Sequence, residues 1–244
     1  MIAMNGYILI DKPKGWTSFD VVAKVRGLVR ATNRQMMAEG ANDGQQLAKR
    51  VKVGHTGTLD PSATGLLVIL VGSYTKRATE LTKLDKTYEV TMKLGQTSTT
   101  GDQEGEITDV SDMQPSPDEV EAALAQFLGE IMQTPPAFSA MKIDGKRAYE
   151  LARAGKEVKL EPRPVIIHST WLTSYEYPYV RFTSNVGSGT YIRSLVEDLG
   201  VHLKTGAYMS DLRRTQIGPF SIANTVQVDK LTSDNVSREI KPLN

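Results

Sequence analysis

The run Gly65–Gly72, with the sequence GLLVILVG, is the feature that most constrains the fold of this chain. A continuous apolar run of this length, bounded by glycine, is typical of a strand that is buried on both faces. A strand of this kind lies in a sheet whose two faces are both covered by other elements. The run therefore predicts a sheet protein in which other elements pack on both sides of this strand.

Four further segments have the apolar composition or the alternation of strands. In the second of them, alternation places the side chains of Tyr88, Val90, Met92 and Leu94 on one side. The last two segments are predicted to pair with each other. The four segments are Gly6–Asp11, Lys86–Leu94, Val165–Leu172 and Tyr179–Val186.

Capping boxes at Thr17–Asp20 and Ser116–Glu119 predict two helix starts, and the second helix is expected to stop at Gly129. Further helices are predicted over residues 147–154 and 190–204. Residues 33–50 lose the helical periodicity and contain Gly, Asn and Asp, which predicts a surface insertion. Together these elements predict an α+β fold with a mixed, largely antiparallel central sheet flanked by helices.

Composition excludes several kinds of site and location. With 0 Cys, the chain has no disulfide, thiolate nucleophile or zinc–thiolate site. The three His show no metal-ligand spacing, and no phosphate-binding G-x-x-x-x-G-K-[ST] occurs, so no metal site is predicted. No segment approaches the roughly 20 apolar residues of a membrane span, and the first residues do not form a signal peptide. A cytoplasmic protein without membrane contact is expected.

The formal net charge of +1 by itself argues mildly against a nucleic-acid partner, but the charge is unevenly distributed. Residues 11–52 hold nine Lys or Arg against four Asp or Glu, whereas residues 96–130 hold nine acidic residues and no basic one. Separated basic and acidic faces allow a neutral protein to bind a phosphate backbone on one side. An ordinary solvated surface explains the same charges, and both interpretations stay open at this point.

The densest motif is Gly54–Leu67, GHTGTLDPSATGLL, in which Asp60 precedes a proline. An aspartate before proline is common at turns, so spacing alone favours a structural carboxylate at Asp60. Taken singly, Tyr88 is explained by core packing, His55 by a loop hydrogen bond and Arg193 by a solvated helix face.

The whole string Gly54–Leu67 resembles the catalytic-loop motif G-H-x-G-x-L-D-P-x-A-x-G-x-L of the TruB family, the tRNA pseudouridine-55 synthases. Five other blocks resemble family motifs in the same order, so that the resemblance spans residues 5–220. It implies the pseudouridine synthase fold. The five blocks are Asp11–Ser18, Lys86–Gly95, Gln133–Glu150, Ser188–Leu195 and Leu212–Thr215.

The resemblance implies an isomerase that flips uridine 55 out of the T-loop of tRNA and converts it to pseudouridine. The base is detached from the ribose and rejoined through carbon without redox change or net group transfer, so no cofactor is required. Asp60 is implied as the carboxylate that acts as nucleophile or charge stabiliser. Tyr88 is implied to stack on the flipped base and to take part at its C5, and Arg193 to pair with Asp60.

Substrate-binding residues follow from the same resemblance. His55 is implied to fill the space vacated by the flipped base, Leu212 to form an apolar wall of the pocket, and Tyr191 to contact substrate. The segment 138–160 is implied to close over the T-loop. Contacts to RNA phosphates are expected from the basic residues of the matching blocks, which are Lys12, Lys142, Lys146, Arg147, Arg213 and Arg214.

We expect one catalytic domain over residues 1–230 and a short C-terminal tail over 231–244, without the PUA domain of many family members. Thr99 stands where the family usually has Asp. Because of this difference, the resemblance does not support one secondary polar contact near the site. A monomer that binds the tRNA T-arm without an obligatory protein partner is expected. Two alternatives remain, an RNA-guided dyskerin-like synthase and a tRNA-folding chaperone with little catalysis.

Overall fold

The computed structural model describes residues 4–38, 51–139, 141–143, 145–156 and 158–242. Contacts divide the chain into two compact units, of which unit 1 comprises residues 1–84 and 213–244 and unit 2 comprises residues 85–212. The expected single catalytic domain over residues 1–230 stays a prediction. Within the described ranges, no helix is long and apolar enough to cross a membrane.

The strands and helices of the described residues are labelled here in chain order. The strands are β1 (Gly6–Lys12), β2 (Val53–Thr56), β3 (Thr64–Val71), β4 (Lys86–Leu94), β5 (Gln96–Ser98), β6 (Ile107–Asp109), β7 (Gly129–Gln133), β8 (Lys142–Ile143), β9 (Lys146–Arg147), β10 (Arg163–Glu176), β11 (Tyr179–Val186), β12 (Ala207–Ile217), β13 (Phe220–Ser221) and β14 (Val226–Gln227). The helices are α1 (Ser18–Ala38), α2 (Ala78–Thr82), α3 (Pro117–Gln126), α4 (Ala148–Arg153), α5 (Ile192–His202) and α6 (Val236–Glu239).

Unit 1 is built around β3, which the apolar run Gly65–Gly72 predicts. β1 and β2 pair with β3 in antiparallel fashion, and the unit 1 part of β12 pairs with it in parallel. β14 lies parallel to β1, and β13 lies antiparallel to β12. All residues of β3 after Thr64 are buried, so the prediction of a strand covered on both faces is confirmed.

Two apolar clusters cover the opposite faces of β3. Leu67, Ile69 and Val71 belong to the cluster formed with α1, whereas the intervening Leu66, Val68 and Leu70 belong to the cluster formed with α2. This alternation is the period of two expected of a strand. Residues 231–242, expected as a tail, contribute to the first cluster, because its buried members include Leu231 and Val236.

α1 begins with the predicted capping box, since the Thr17 hydroxyl accepts from the Asp20 N–H at 3.0 Å and the Asp20 carboxylate accepts from the Thr17 N–H at 2.8 Å. Residues 33–38, which belong to the predicted surface insertion over residues 33–50, continue this helix although the apolar periodicity is lost there. The aliphatic stripe ends at Val29, but residues with high helix propensity follow it. The Thr32 hydroxyl donates to the Ser233 carbonyl at 2.6 Å, which anchors that part of the helix. The rest of the expected insertion lies outside the described residues.

Unit 2 contains an antiparallel sheet in the order β4, β11, β10, β7, with the unit 2 part of β12 next to β4. The predicted strands over residues 86–94, 165–172 and 179–186 are confirmed, and so is the burial of alternate residues along β4. α3 ends at Gln126 instead of Gly129, because Gly129, with φ of 90°, begins β7. The predicted α+β class with a mixed, largely antiparallel sheet is confirmed.

Candidate active site

Asp60 lies in unit 1, in the loop that connects β2 to β3. The loop contains a turn, in which the Ala63 N–H donates to the Asp60 carbonyl at 3.2 Å. Leu59 and Ala63 are buried, whereas Asp60 is partly exposed. The loop is therefore packed against the unit at two points while the residue between them keeps access to solvent.

The carbonyls on both sides of Asp60 are held by the last residue of β1 and by the segment that follows it. The Ser18 hydroxyl donates to the Leu59 carbonyl at 3.1 Å and accepts from the Leu59 N–H at 2.9 Å. The Pro61 carbonyl accepts from the Gly15 N–H at 2.8 Å and from the Lys12 ammonium at 3.3 Å. This arrangement fixes the backbone of Asp60 from its two neighbours.

Arg214, on β12, holds the two ends of the same loop. Its guanidinium donates to the Gly57 carbonyl at 3.0 Å, to the Thr58 carbonyl at 3.5 Å and to the Leu66 carbonyl at 2.8 Å. Gly65 makes this approach possible, because a Cβ built there, at φ of 102°, would lie 2.3 Å from the Arg214 carbonyl oxygen. The Gly65 position of the motif is thus explained by close packing of β3 against β12.

Burial corrects the expectation that Lys12 and Arg214 contact RNA phosphates. The two residues are 0% and 1% exposed, so neither cationic group lies on a surface that a phosphate could reach. The Lys12 ammonium also donates to the Trp16 carbonyl at 2.6 Å and to the Pro13 carbonyl at 3.0 Å. Both residues stabilise the loop that carries Asp60.

Arg213, in contrast, is about one-third exposed and forms a bidentate ion pair with Asp11 at 2.8 and 3.1 Å. Its guanidinium also lies 3.4 Å from the Thr64 hydroxyl at the start of β3. The pair joins the end of β1 to β12. An RNA contact of Arg213 stays a prediction, and its exposed edge is compatible with one.

His55, on β2, is half-buried and faces an exposed aromatic ring. Its Nδ1 has no hydrogen-bond partner among the residues described. Burial, followed by the positive charge of Arg214, lowers the pKa of His55 below its usual value, which favours the neutral ring. The Phe19 ring stands edge-on to His55, with centroids 6.0 Å apart. Sequence reasoning did not single out Phe19, because an apolar residue in the first turn of a helix is usually explained by packing.

Arg193 lies in the first turn of α5 in unit 2 and is buried. Its guanidinium donates to the Thr100 carbonyl at 2.9 Å and to the Phe138 carbonyl at 2.8 Å, and it lies 3.9 Å from the Asp102 carboxylate. The structure therefore does not place Arg193 on a solvated helix face. Its implied pairing with Asp60 joins residues of different units and stays a prediction.

Tyr191 is the residue that precedes α5, and its backbone is fixed by a side chain that sequence reasoning missed. The buried Gln133 side chain accepts from the Tyr191 N–H at 2.8 Å and donates to the Tyr191 carbonyl at 3.1 Å. The Arg163 guanidinium lies over the Tyr191 ring, 5.2 Å from its centroid. Gln133 stands in the quoted block Gln133–Glu150, but nothing local in the sequence indicates that it binds this backbone.

Tyr88 and Leu212 are both buried in unit 2, at 7% exposure each. Tyr88 shares a face of β4 with Val90 and Met92, as the alternation predicts. A packing role therefore accounts for the position of either side chain. Their implied contacts with a flipped base stay predictions.

The segment 138–160 contains a small hairpin and a helix. β8 and β9 pair in antiparallel fashion, with Lys142 opposite Arg147, and α4 follows. Lys146 is exposed, as a residue that contacts phosphate must be. The side chains of Lys142 and Arg147 are outside the described part of the chain. The implied closure of this segment over RNA stays a prediction.

Thr99, which replaces the usual Asp, lies between β5 and β6. Its N–H donates to the Glu106 carbonyl at 3.1 Å, and its hydroxyl accepts from the Glu106 N–H at 3.0 Å. The nearby Asp102 carboxylate accepts from the Thr100 hydroxyl at 2.7 Å and from the Glu104 N–H at 3.0 Å. Thr99 therefore closes the hairpin, and the carboxylate beside Arg193 is supplied by Asp102.

Known proteins similar to this chain agree with the motif. A family model described as the N-terminal domain of TruB family pseudouridylate synthase matches residues 45–192, and one described as the tRNA pseudouridylate synthase B C-terminal domain matches residues 193–241. tRNA pseudouridine synthase B of Clostridium novyi is 42% identical over 234 residues, which are 96% of this chain and 74% of that protein. The protein of the same name from Pseudomonas fluorescens is 44% identical over 228 residues, which are 93% of this chain and 68% of that protein.

A solved chain has a similar fold. It belongs to an H/ACA RNP bound to a substrate RNA containing 2'-deoxyuridine, and it superposes with a TM-score of 0.66 at 26% identity. The match covers 98% of this chain and 60% of that chain, so this chain spans about 60% of its length. The predicted pseudouridine synthase fold is confirmed. Because the first family model covers more than half of the residues and the relatives align over nearly all of them, the chain belongs to the TruB family of pseudouridylate synthases.

Proposed function

We propose that this chain isomerises uridine 55 in the T-loop of tRNA to pseudouridine, with Asp60 as the catalytic carboxylate. One observation carries the proposal: hydrogen bonds hold the carbonyls of Leu59 and Pro61, on both sides of a partly exposed Asp60. A carboxylate that attacks substrate must be held in a near-attack geometry, and this loop has the anchors for that. The relatives named tRNA pseudouridine synthase B support tRNA as the substrate.

The reaction breaks the bond between the ribose and N1 of uracil and forms a bond from the ribose to C5. C5 loses a proton and N1 gains one, so the atoms balance without a cofactor. Asp60 acts as a covalent nucleophile or stabilises charge on the ribose or base. Tyr88 stacks on the flipped base and takes part in removing the C5 proton.

Arg193 is proposed to pair with Asp60 and so to favour the ionised carboxylate during the reaction. The support is that Arg193 is already buried and oriented by the carbonyls of Thr100 and Phe138. An Arg at this position loses little further conformational freedom when it meets a second carboxylate. Tyr191 and the bonds from Gln133 fix the start of the helix that presents it.

Base flipping costs a few kcal/mol of lost stacking. Stacking of the flipped base on an aromatic ring recovers about 1–3 kcal/mol per base. His55 is proposed to occupy the place that the flipped base leaves. Leu212 supplies apolar wall. Phosphate contacts position the T-arm, and we propose that they come from Lys142, Lys146, Arg147 and Arg213.

The test is incubation of unmodified tRNA with the purified chain and no other protein or RNA, followed by carbodiimide mapping and mass spectrometry. Pseudouridine at position 55 of the T-loop is the expected product. Asp60→Asn should abolish product while binding of a T-arm stem-loop stays within a few-fold. Asp229→Asn, at an exposed carboxylate, serves as the matched control and should retain full turnover. Turnover by Asp60→Asn would refute the proposed role of Asp60.

A second candidate is an RNA-guided synthase, which the likeness to a chain of an H/ACA RNP favours. Such an enzyme needs a guide RNA and protein partners to place its target uridine. The partner-free incubation distinguishes the two candidates, because a guided enzyme would leave isolated tRNA unmodified. Tight binding and refolding of tRNA without any product would instead indicate a chaperone.

A further inference from the structure

Phe19 is an aromatic residue in the first turn of α1 that is 62% exposed. The ring stands at 84° to the His55 ring, with centroids 6.0 Å apart. The two rings form a small aromatic corner beside the loop that carries Asp60. Single exposed apolar residues are common, so exposure alone carries no conclusion.

Two arginines share a face of α1 with Phe19. Positions 23, 26 and 30 follow Phe19 by four, seven and eleven residues, which places them on one side of a helix of 3.6 residues per turn. They are Ala23, Arg26 and Arg30, and none of them is buried. The Arg26 guanidinium donates to the Val53 carbonyl of β2 at 3.4 Å, so this face of α1 runs along β2 from His55 towards Val53.

Charge also changes along this face. Next to Phe19, the Asp20 carboxylate is occupied with the Thr17 N–H and hydroxyl, at 2.8 and 2.6 Å, and keeps its negative charge because these bonds lower its pKa. A phosphate is disfavoured at that end and favoured at the end with Arg26 and Arg30. The helix rise of 1.5 Å per residue puts the two arginines about 10 and 16 Å along the helix axis from Phe19.

We propose that this face, formed by Phe19, Arg26 and Arg30 and here called the α1 ridge, binds the RNA strand that adjoins the target uridine. Phe19 stacks on an unpaired nucleobase with its free face, and the arginines bind phosphates of the strand that continues from that base. The occupant is single-stranded or loop RNA, because only an unstacked base offers a face to Phe19. The inference rests on the proposed function for the identity of the RNA.

The test measures equilibrium binding of a T-arm stem-loop in the Asp60→Asn background, which prevents turnover. Phe19→Leu keeps apolar bulk and loses the ring, and it should weaken binding by about 5- to 150-fold, since stacking contributes about 1–3 kcal/mol per base. Phe19→Tyr should stay within about twofold of the parent, because the aromatic face is kept. Trp171→Leu removes an aromatic side chain that is 50% exposed on β10 and serves as the matched control.

The arginines are tested through salt dependence. Arg30→Gln should reduce the slope of log affinity against log salt by about 0.7, the value for one phosphate on a single strand. Arg26→Gln should do the same, with circular dichroism to confirm that loss of its bond to Val53 leaves the fold intact. An affinity of Phe19→Leu equal to the parent, or a slope unchanged in both arginine variants, would overturn the α1 ridge.

Failure of the ridge is distinguishable from failure of the proposed function. If the unmutated chain modifies tRNA but Phe19→Leu binds the stem-loop equally well, only the ridge is wrong. If the unmutated chain makes no pseudouridine but Phe19→Leu still loses affinity for RNA, the ridge stands and the proposed reaction fails.

Discussion

The guanidinium of Arg214 is predicted to set the stability and geometry of the loop that carries Asp60. Arg214 is 1% exposed and makes two short bonds, to the Gly57 carbonyl at 3.0 Å and the Leu66 carbonyl at 2.8 Å, beside the longer one to Thr58 at 3.5 Å. Each buried carbonyl that loses its partner costs about 1–3 kcal/mol, so the two short bonds together represent about 2–6 kcal/mol. Removal of the buried charge offsets part of this cost, so Arg214→Met should lower the free energy of unfolding by about 2–4 kcal/mol.

The effect on catalysis should exceed the effect on binding. A displacement of about 1 Å in a reacting group costs on the order of 100-fold in rate, and release of the loop at both ends permits such a displacement at Asp60. Arg214→Met should therefore lower kcat strongly and change KM little. Arg214→Lys should recover part of the stability, because it keeps the charge but not the fork that reaches both ends of the loop.

The assay combines urea unfolding, amide hydrogen exchange of residues 57–63 and steady-state turnover of a T-arm stem-loop. Arg181→Met is the control, because Arg181 is an exposed arginine of β11 that donates to the Ser174 hydroxyl at 3.2 Å. Its free energy of unfolding should stay within about 0.5 kcal/mol of that of the parent. If Arg214→Met keeps both its unfolding free energy and the exchange protection of the loop, the role assigned to Arg214 is wrong.

Three further predictions concern charge. Replacing Lys142, Lys146 and Arg147 together with Gln should weaken RNA binding and flatten its salt dependence, and an unchanged slope would show that these residues form only a solvated surface. Burial, with a smaller effect from Arg214, lowers the pKa of His55 from 6.5, so His55 takes up a proton in the unfolded chain at a higher pH than in the folded chain. The free energy of unfolding should therefore decrease as the pH falls from about 6.5. His55→Asn should remove this decrease, as measured by urea unfolding at several pH values. Burial raises the pKa of Glu197 above 4.5, so the free energy of unfolding should decrease as the pH rises from about 4.5. Glu197→Gln should become more stable relative to the parent over that range. A difference in unfolding free energy between variant and parent that does not change with pH would contradict this.

Local patterns in the sequence were sufficient where the physical cause is local. The alternation along β4 and the apolar run of β3 depend on a period of two, which is visible in the chain itself. The capping boxes of α1 and α3 depend on bonds between residues three apart. These features could be predicted because each signal and its cause lie within one short window.

The extent of α1 and the roles of the basic residues could not be predicted in that way. The helix continues to Ala38 with the help of a bond from Thr32 to Ser233, residues that are 201 positions apart. The sequence predicts that Lys12 and Arg214 are cations available to phosphate. In the structure both are buried and donate to carbonyls of segments that are distant in the chain. Whether a charged side chain meets solvent or a backbone depends on chain segments that no local window contains.

The sequence by itself determined the family, the strand and helix types and the candidate carboxylate Asp60, because these are encoded in ordered motifs and short-range periodicity. The tertiary structure decided which polar residues support that carboxylate and which remain available to RNA. Lys12, Ser18 and Arg214 converge on one loop, while Phe19 and Arg30 stay exposed. The physical reason is that burial and hydrogen-bond pairing are properties of the folded assembly of segments and not of any one of them.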